Sequence, residues 1–134
     1  MPVFSTTRVR SMDPSEIVAV VDDDKAVLVG TASLVRSFGW STRTFGSAEE
    51  FLQSEYVSTA ACLISDVRMP GMSGVELHSH LRGLGYAVPT IFITAFPTPN
   101  LEAELLAQGA LVLLEKPVAA ESVEYWVRVA LSKS

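Results

Sequence analysis

Short apolar runs alternate along the chain with longer segments whose apolar residues recur at helical spacing. Five such runs follow one another from residue 17 onward, and four of them are almost continuously apolar, as is typical of strands covered on both faces of a parallel sheet. The second run has a polar centre, which favours an edge strand. The predicted strands are residues 17–21, 40–45, 61–65, 90–94 and 111–114.

The segments between the runs carry signals for helix starts and helix ends. Glycines at positions 39 and 109 stand where helices commonly end in a left-handed residue. The start signals are two capping boxes, Ser47 to Glu50 and Ser73 to Glu76, and Thr98 followed by Pro99. Strand and helix therefore alternate five times, which predicts an α/β fold in which helices cover both faces of a five-stranded parallel sheet.

The composition limits what such a domain does. With 134 residues the chain has room for one domain, predicted at residues 16–134, and residues 1–15 read as a flexible N-terminal arm. A net charge of −5 argues against direct contact with nucleic acid by this segment. The single Cys62 has no partner for an internal disulfide, which favours the cytoplasm, and no apolar run is long enough to predict a membrane span.

Reactive side chains stand at the predicted strand ends. Asp22, Asp23 and Asp24 follow the first strand, and Asp66, Thr94 and Lys116 stand at the ends of the third, fourth and fifth. The carboxyl ends of parallel strands share one edge of the sheet, so these groups should meet there. Neighbouring carboxylates repel by about 4 kcal/mol per pair at an effective dielectric of 20, and Mg²⁺ relieves such repulsion in an all-oxygen site. An aspartate can also accept a phosphoryl group covalently.

Four motifs in this order carry a family resemblance. They are residues 20–24 (VVDDD), 63–74 (LISDVRMPGMSG), 93–95 (ITA) and 115–117 (EKP). From about residue 17 to 131 the chain resembles the receiver domain (CheY-like) of two-component response regulators. Residues 45–52 (FGSAEEFL) and the loop around Asp66 are most similar to the FixJ-like type. The resemblance implies a flavodoxin-like (βα)5 three-layer sandwich.

The resemblance also implies a ligand set for Mg²⁺. Asp66 would be the phosphoacceptor and a metal ligand, Asp23 would bind the metal directly and Asp22 through water. The backbone carbonyl of Arg68 would complete the set.

The remaining site residues and the partners follow from the same resemblance. Lys116 would pair with the acceptor and then with the phosphoryl group, and Thr94 would move toward the phosphate. The Lys116–Pro117 peptide bond is often cis in this family. The donor would be a sensor histidine kinase or a phosphotransfer protein, and the domain would be a switch that assists its own phosphorylation, not an enzyme. Phosphorylation-linked homodimerisation is a family-level expectation.

The chain departs from the family pattern at two places. Leu113 stands three residues before the lysine, where receivers usually carry an aromatic residue, so the sequence leaves open whether Thr94 is coupled to such a ring. After Thr94 the chain continues with two prolines and with Phe96, which we expect to cover part of the pocket.

Other interpretations follow from the same residues. A phosphate-independent interaction module would have the same fold, and Leu113 is the feature that favours it. A haloacid-dehalogenase-like hydrolase would need an aspartate where Arg68 stands. Asp24 is expected to start the first helix and not to bind metal. His78 and His80 are expected to be ordinary surface or boundary residues. The sequence leaves open whether a DNA-binding output domain belongs to the protein.

Overall fold

Five strands and five helices alternate along residues 16–133, the part of the chain that the structure, a computed structural model, describes. The strands are β1 Ile17–Val21, β2 Thr42–Phe45, β3 Ala60–Asp66, β4 Thr90–Thr94 and β5 Val112–Glu115. The helices are α1 Lys25–Ser37, α2 Ala48–Leu52, α3 Gly74–Gly83, α4 Pro99–Ala107 and α5 Ala120–Lys133. The flexible arm predicted for residues 1–15 lies outside the described residues.

The strands are all parallel and form one sheet in the order β2-β1-β3-β4-β5. This is the strand order of the flavodoxin-like fold, so the predicted architecture is confirmed. The polar strand β2 lies at one edge, as its sequence indicated, and β5 lies at the other. Helices connect the parallel strands and cover both faces of the sheet.

One face of the sheet packs against α1 and α5. Because side chains alternate between the two faces of a strand, Val18 and Val20 of β1 share this layer with Ile91 and Ile93 of β4, and Val127 of α5 packs against them. Each large apolar side chain buried in this way contributes roughly 1.5–3 kcal/mol to the free energy of unfolding.

Both tryptophans lie on the same side. Trp40 and Trp126 pack against the edge of the α1–α5 layer, and the Arg128 guanidinium lies 5.4 Å from the centre of the Trp40 ring. This distance is within the range of a cation–π interaction. The contact joins α5 to the segment that leads into β2.

The opposite face packs against α2, α3 and α4. Phe51 of α2 and Leu77 of α3 cover β1 and β3, while Leu105 of α4 packs with Phe92 and Leu113 of the neighbouring strands. The sheet is therefore held between two apolar layers, which fixes the positions of the side chains at its edges. Among residues 16–133, no helix is both long and apolar enough to span a lipid bilayer.

Most of the predicted helix ends are confirmed. The Asp24 carboxylate accepts hydrogen bonds from two amides in the first turn of α1, Ser73 forms a complete capping box at α3, and Thr98 caps α4. The helices α1 and α4 are each followed by a glycine with positive φ, 96° at Gly39 and 100° at Gly109. These are backbone conformations in which a residue with a Cβ atom is strained.

Of the two hydrogen bonds in the capping box predicted at Ser47, one is present and the other is not. The Ser47 hydroxyl accepts from the Glu50 amide as predicted, but the Glu50 carboxylate accepts from the amide of Gly46 and not from that of Ser47. The φ angle of Ser47 is −158°, whereas that of Ser73 is −76°. Rotation about the N–Cα bond therefore turns the Ser47 N–H away from the helix, and the glutamate bonds the preceding amide.

Candidate functional site

Four strands end at the same edge of the sheet, and a polar side chain follows or ends each of them. Asp22 follows β1, Asp66 and Thr94 end β3 and β4, and Lys116 follows β5. Backbone hydrogen bonds hold these positions, since the Lys116 amide donates to the carbonyl of Thr94 at 2.8 Å and the Asp22 amide donates to that of Phe45 at 3.1 Å. The predicted convergence of these groups is therefore what the fold produces.

The Lys116 ammonium lies between two carboxylates. Its Nζ atom is 3.1 Å from Oδ2 of Asp66, to which it donates a hydrogen bond, and 3.1 Å from Oδ2 of Asp22. Asp22 is wholly buried and Asp66 is 7% exposed. Coulomb interactions are stronger here than in bulk water because little solvent separates the charges. The peptide bond that follows, Lys116–Pro117, is cis.

Burial and charge oppose each other in this group. Desolvation raises the pKa of the Asp22 carboxyl above its usual value, although the hydrogen bond from the Asp24 amide and the charge of Lys116 partly offset that effect. Burial alone would lower the pKa of Lys116, but the hydrogen bond to Asp66 and the negative charges of Asp22 and Asp66 outweigh it and raise that pKa. One ammonium faces two carboxylates, so the three groups together carry a net negative charge.

The arrangement of oxygen atoms fits a hard divalent cation. Asp22, Asp23 and Asp66 each offer one carboxylate oxygen, and these atoms all lie within 4.8 Å of one another. Oδ2 of Asp22 is buried and, despite its ion pair, accepts no hydrogen bond of good geometry from the described residues. Leaving such an atom unsatisfied costs about 1–3 kcal/mol, and an all-oxygen set suits Mg²⁺. The donor chemistry therefore agrees with the predicted metal.

Arg68 and Thr94 lie on the loops beside the acceptor. The Arg68 amide donates to Oδ1 of Asp66 at 3.3 Å, while the Arg68 side chain is exposed. Thr94 is 3% exposed, and its hydroxyl accepts a hydrogen bond from the Phe96 amide at 3.4 Å. Phe96 itself is 78% exposed, so the prediction that its ring covers part of the pocket is wrong for this structure.

A glycine allows the loop after β3 to fold closely against the acceptor. The Gly74 amide donates to the carbonyl of Val67 at 3.0 Å, and a Cβ atom on Gly74 would overlap the carbonyl oxygen of Asp66. The same carbonyl accepts a hydrogen bond from the Ser65 hydroxyl at 2.9 Å. Position 74 belongs to the predicted capping box and to the motif of residues 63–74. Its close packing against the acceptor strand was missed.

A second contact supports this loop from α2. The Glu49 carboxylate accepts a hydrogen bond from the Met72 amide at 2.9 Å and lies against Gly71, whose φ is 73°. The bond to the Met72 amide lowers the pKa of Glu49 below its usual value. Residues 49 and 72 are far apart in sequence and no local pattern links them, so this contact could not be predicted.

Leu113 is buried under α4. It is 8% exposed and packs in one cluster with Val67, Phe92, Leu105 and Ala110. The position at which receivers usually carry an aromatic residue is therefore occupied by an aliphatic side chain that lies in the core.

Three residues that were expected to have no role in the site lie elsewhere. His80 is exposed, as expected, but His78 is only 5% exposed and its ring contacts Phe92 edge to face at 5.7 Å. Cys62 is buried in β3, where desolvation raises the pKa of its thiol to about 12. A thiol with such a pKa is unreactive at neutral pH.

The architecture and the acidic edge agree with a comparison to known families. The family description "response regulator receiver domain" matches residues 18–128. The chain belongs to this family. Receiver domains are signalling domains of two-component systems, so the predicted family is confirmed.

Individual relatives agree with this assignment. The receiver domain is 39% identical over 119 residues to the response regulator protein TodT of Pseudomonas putida, a match that covers 89% of this chain and 52% of TodT. It is 36% identical over 123 residues to the transcriptional regulatory protein FixJ of Azorhizobium caulinodans, with 92% of this chain and 58% of FixJ covered. The chain thus spans only about half the length of the curated relatives it matches.

A solved structure shows the same similarity. The crystal structure of FixJ-N superimposes with a TM-score of 0.76 at 29% sequence identity, and the match covers 91% of this chain and 96% of that one. The receiver domain described here is therefore similar to FixJ in both sequence and structure, as residues 45–52 suggested.

Proposed function

We propose that this receiver domain accepts a phosphoryl group on Asp66 in a Mg²⁺-dependent reaction. The donor is the phosphohistidine of a sensor histidine kinase or of a phosphotransfer protein. The observation that carries the proposal is the position of the Asp66 carboxylate, which lies 3.1 Å from Lys116 Nζ and within one cluster of metal-ligating oxygens. A carboxylate placed between a cation and a metal-binding set is suited to covalent phosphoryl transfer.

The chain's own residues account for most of the reaction. An Asp66 carboxylate oxygen attacks phosphorus, the P–N bond to the donor imidazole breaks, and the imidazole keeps the electron pair and takes up a proton. Lys116 pairs with the carboxylate before transfer and with a phosphoryl oxygen afterwards. Asp22, Asp23, Asp66 and the Arg68 carbonyl would hold Mg²⁺, which would supply positive charge to the phosphoryl oxygens.

The response to phosphorylation starts at Thr94. Thr94 is buried at the end of β4, next to β3, and its hydroxyl accepts a hydrogen bond from the Phe96 amide. A new hydrogen bond between this hydroxyl and a phosphoryl oxygen would therefore move the loop that begins at Phe96. This loop leads into α4, so the face formed by α4, β5 and α5 changes as a pre-existing equilibrium shifts. With Leu113 in the core, the change proceeds without movement of an aromatic ring at that position.

The cellular setting is part of the same proposal. The domain acts in the cytoplasm as a switch and not as a metabolic enzyme, and homodimerisation on phosphorylation is one way in which the altered face could be used. The acidic net charge of −5 supports the expectation that this segment makes no direct contact with nucleic acid.

Intact mass after incubation with acetyl phosphate, with and without Mg²⁺, tests the proposal. We expect the parent protein to gain the mass of one phosphoryl group only when Mg²⁺ is present. The Asp66→Asn variant should gain none, because an amide oxygen is a poor nucleophile and the acyl phosphate cannot form.

Asp24→Asn is the matched control. Asp24 lies beside the metal ligands but caps α1, and asparagine is an equally good cap, so this variant should be phosphorylated like the parent. Equal gains in the parent and in Asp66→Asn would place the acceptor elsewhere. The absence of both a mass gain and Mg²⁺ binding would favour the phosphate-independent interaction module.

A further inference from the structure

A cavity of about 380 Å³ lies at the end of the molecule opposite the acidic cluster. Its walls come from α3, from the segment before β4, from the turn between α4 and β5, and from the last turn of α5. These segments meet at the amino ends of β4 and β5, whereas Asp66 and Lys116 lie at the carboxyl ends. The proposed phosphoacceptor function uses none of the residues that line this cavity.

The charged side chains that line the cavity are all basic. Arg82 of α3 and Lys133 of α5 stand on its wall together with His78, and no acidic side chain of the described residues lines it. The chain as a whole carries a net charge of −5, so this basic cluster is opposite in sign to the net charge of the protein. A positive cavity in an acidic protein concentrates small anions from solution.

The Arg82 guanidinium is held in place. One of its terminal nitrogens donates to the carbonyl of Gln108 at 2.6 Å, which ties α3 to the turn before β5. A guanidinium has five N–H donors, and the others of Arg82 make no hydrogen bond to a described residue. The group is thus both positioned and able to bind a planar carboxylate.

His78 supplies a second donor on the wall of the cavity. The residue is 5% exposed, but its ring nitrogens are not among the fully buried polar atoms that lack a partner in the described residues. No hydrogen bond joins them to a described residue, so a ligand in the cavity can reach them. Desolvation, together with the charge of Arg82, lowers the pKa of His78, so at neutral pH the ring is uncharged and carries one N–H donor.

The rest of the wall is mostly apolar, with Gln108 as its one further polar side chain among the described residues. Ala87, Val88, Pro89 and Leu111 contribute most of the remaining side chains. The apolar side chains give no hydrogen bonds to a bare inorganic anion, but they would bury the hydrocarbon part of an organic one. A few basic donors beside an apolar surface are the usual composition of a site for a small organic ligand.

We propose that this cavity binds a small organic carboxylate, with its charged group on Arg82 and His78 and its hydrocarbon part against Val88 and Leu111. Lys133 stands at the end of α5 and adds positive charge to the same cavity. The carboxylate would accept from both a fixed guanidinium and a neutral imidazole. The site is separate from the acidic edge, so it can be tested without phosphorylation.

Titration with benzoate, followed by NMR of the imidazole of His78 and the methyl groups of Val88 and Leu111, tests this proposal. We expect saturable shifts with a dissociation constant on the order of 1 mM, since benzoate is small. Benzamide has the same shape without the charge, and it should bind at least about tenfold more weakly. Inorganic phosphate should also bind more weakly, because it cannot use the apolar wall.

Two variants separate the site from a general effect of charge. Arg82→Gln should weaken benzoate binding by about tenfold or more, because the charged hydrogen bonds are lost. Arg128→Gln removes the same charge from α5 but at the Trp40 contact outside the cavity, so it should bind benzoate like the parent. Equal binding of benzamide, equal binding by Arg82→Gln, tighter binding of phosphate, or no saturable shift would each overturn the proposal.

Discussion

Asp22 Oδ2 lies 3.1 Å from Lys116 Nζ, yet this buried oxygen accepts no hydrogen bond of good geometry from the described residues. Lys116 Nζ also lies 3.1 Å from Asp66 Oδ2, so one ammonium is shared by two carboxylates. The ammonium therefore offsets only part of the free-energy cost of burying the second carboxylate charge. The metal-free domain is less stable than it would be with a neutral side chain at position 22.

Replacing Asp22 with asparagine should stabilise the metal-free protein. The amide side chain would keep the shape of the aspartate without a charge to desolvate, and we expect the free energy of unfolding in EDTA at pH 7 to rise by about 1 kcal/mol. Denaturant unfolding of the parent and of Asp22→Asn measures this difference. A variant that is less stable than the parent in EDTA would contradict the argument.

Asp23→Asn is the companion experiment, since Asp23 is exposed and its charge stays solvated. It should leave stability in EDTA nearly unchanged, whereas both variants should lose most of the stabilisation that added Mg²⁺ gives the parent.

Replacing Gly74 with alanine should disrupt the loop that follows the acceptor. The added Cβ would overlap the Asp66 carbonyl oxygen, and moving either backbone segment breaks packing at the site. We expect a loss of more than about 2 kcal/mol in the free energy of unfolding, together with weaker Mg²⁺ binding.

Gly83→Ala provides the control in the same helix. A Cβ on Gly83 meets no atom within 4 Å and its φ is not positive, so the variant should be neutral or stabilised by up to about 1 kcal/mol. Equal effects of the two substitutions on stability would show that the close contact between position 74 and the Asp66 carbonyl does not cause the loss.

The sequence predicted the architecture well because that information is local. The bounds of β1 and β4 agree with the predicted runs at residues 17–21 and 90–94, since a buried parallel strand is a continuous apolar block between polar turns. The strand-end residues could also be placed, because parallel strands bring their carboxyl ends together. Asp22, Asp66 and Lys116 meet for this reason.

What the sequence did not show depends on contacts between distant segments. Helical spacing indicates which face a residue lies on, but not what covers that face, so the burial of His78 against Phe92 was missed. The hydrogen bond from the Met72 amide to the Glu49 carboxylate and the cavity beside Arg82 were missed for the same reason. They arise from side chains of separate helices and turns, for which no periodic signal exists.

Replacing His78 with phenylalanine should remove part of the loss of stability in mild acid. The folded-state pKa of His78 is lowered by desolvation and by Arg82, so the unfolded chain binds the proton more readily. Stability therefore falls as pH drops below about 6.5, the usual pKa of histidine, toward the folded value, with a slope of at most about 1.4 kcal/mol per pH unit. Phenylalanine retains the contact with Phe92 and does not titrate.

The measurement is the free energy of unfolding of the two proteins between pH 7.5 and 5.5. His80→Gln, which removes an exposed histidine of the same helix, should behave like the parent. If the parent and His78→Phe lose stability in parallel over this range, His78 is not the group responsible.

Replacing Glu49 with alanine should weaken metal binding without unfolding the domain. The Glu49 carboxylate fixes the Met72 amide and thereby the loop that carries Arg68, whose carbonyl is a proposed ligand. Calorimetric titration with Mg²⁺ should give a dissociation constant about threefold higher than that of the parent, as expected for one exposed hydrogen bond. Glu55→Ala, which removes an exposed carboxylate just after α2, should bind Mg²⁺ like the parent.

The placement of Trp40 and Trp126 on the α1–α5 side has a practical consequence for optical work. The chain has 2 tryptophans, and both report on this layer, while the layer beneath α2, α3 and α4 contains none among the described residues. Intrinsic fluorescence should thus follow the melting of one side of the sheet. A change in emission upon modification of Asp66 would mean that the rearrangement reaches α5 or the segment that leads into β2.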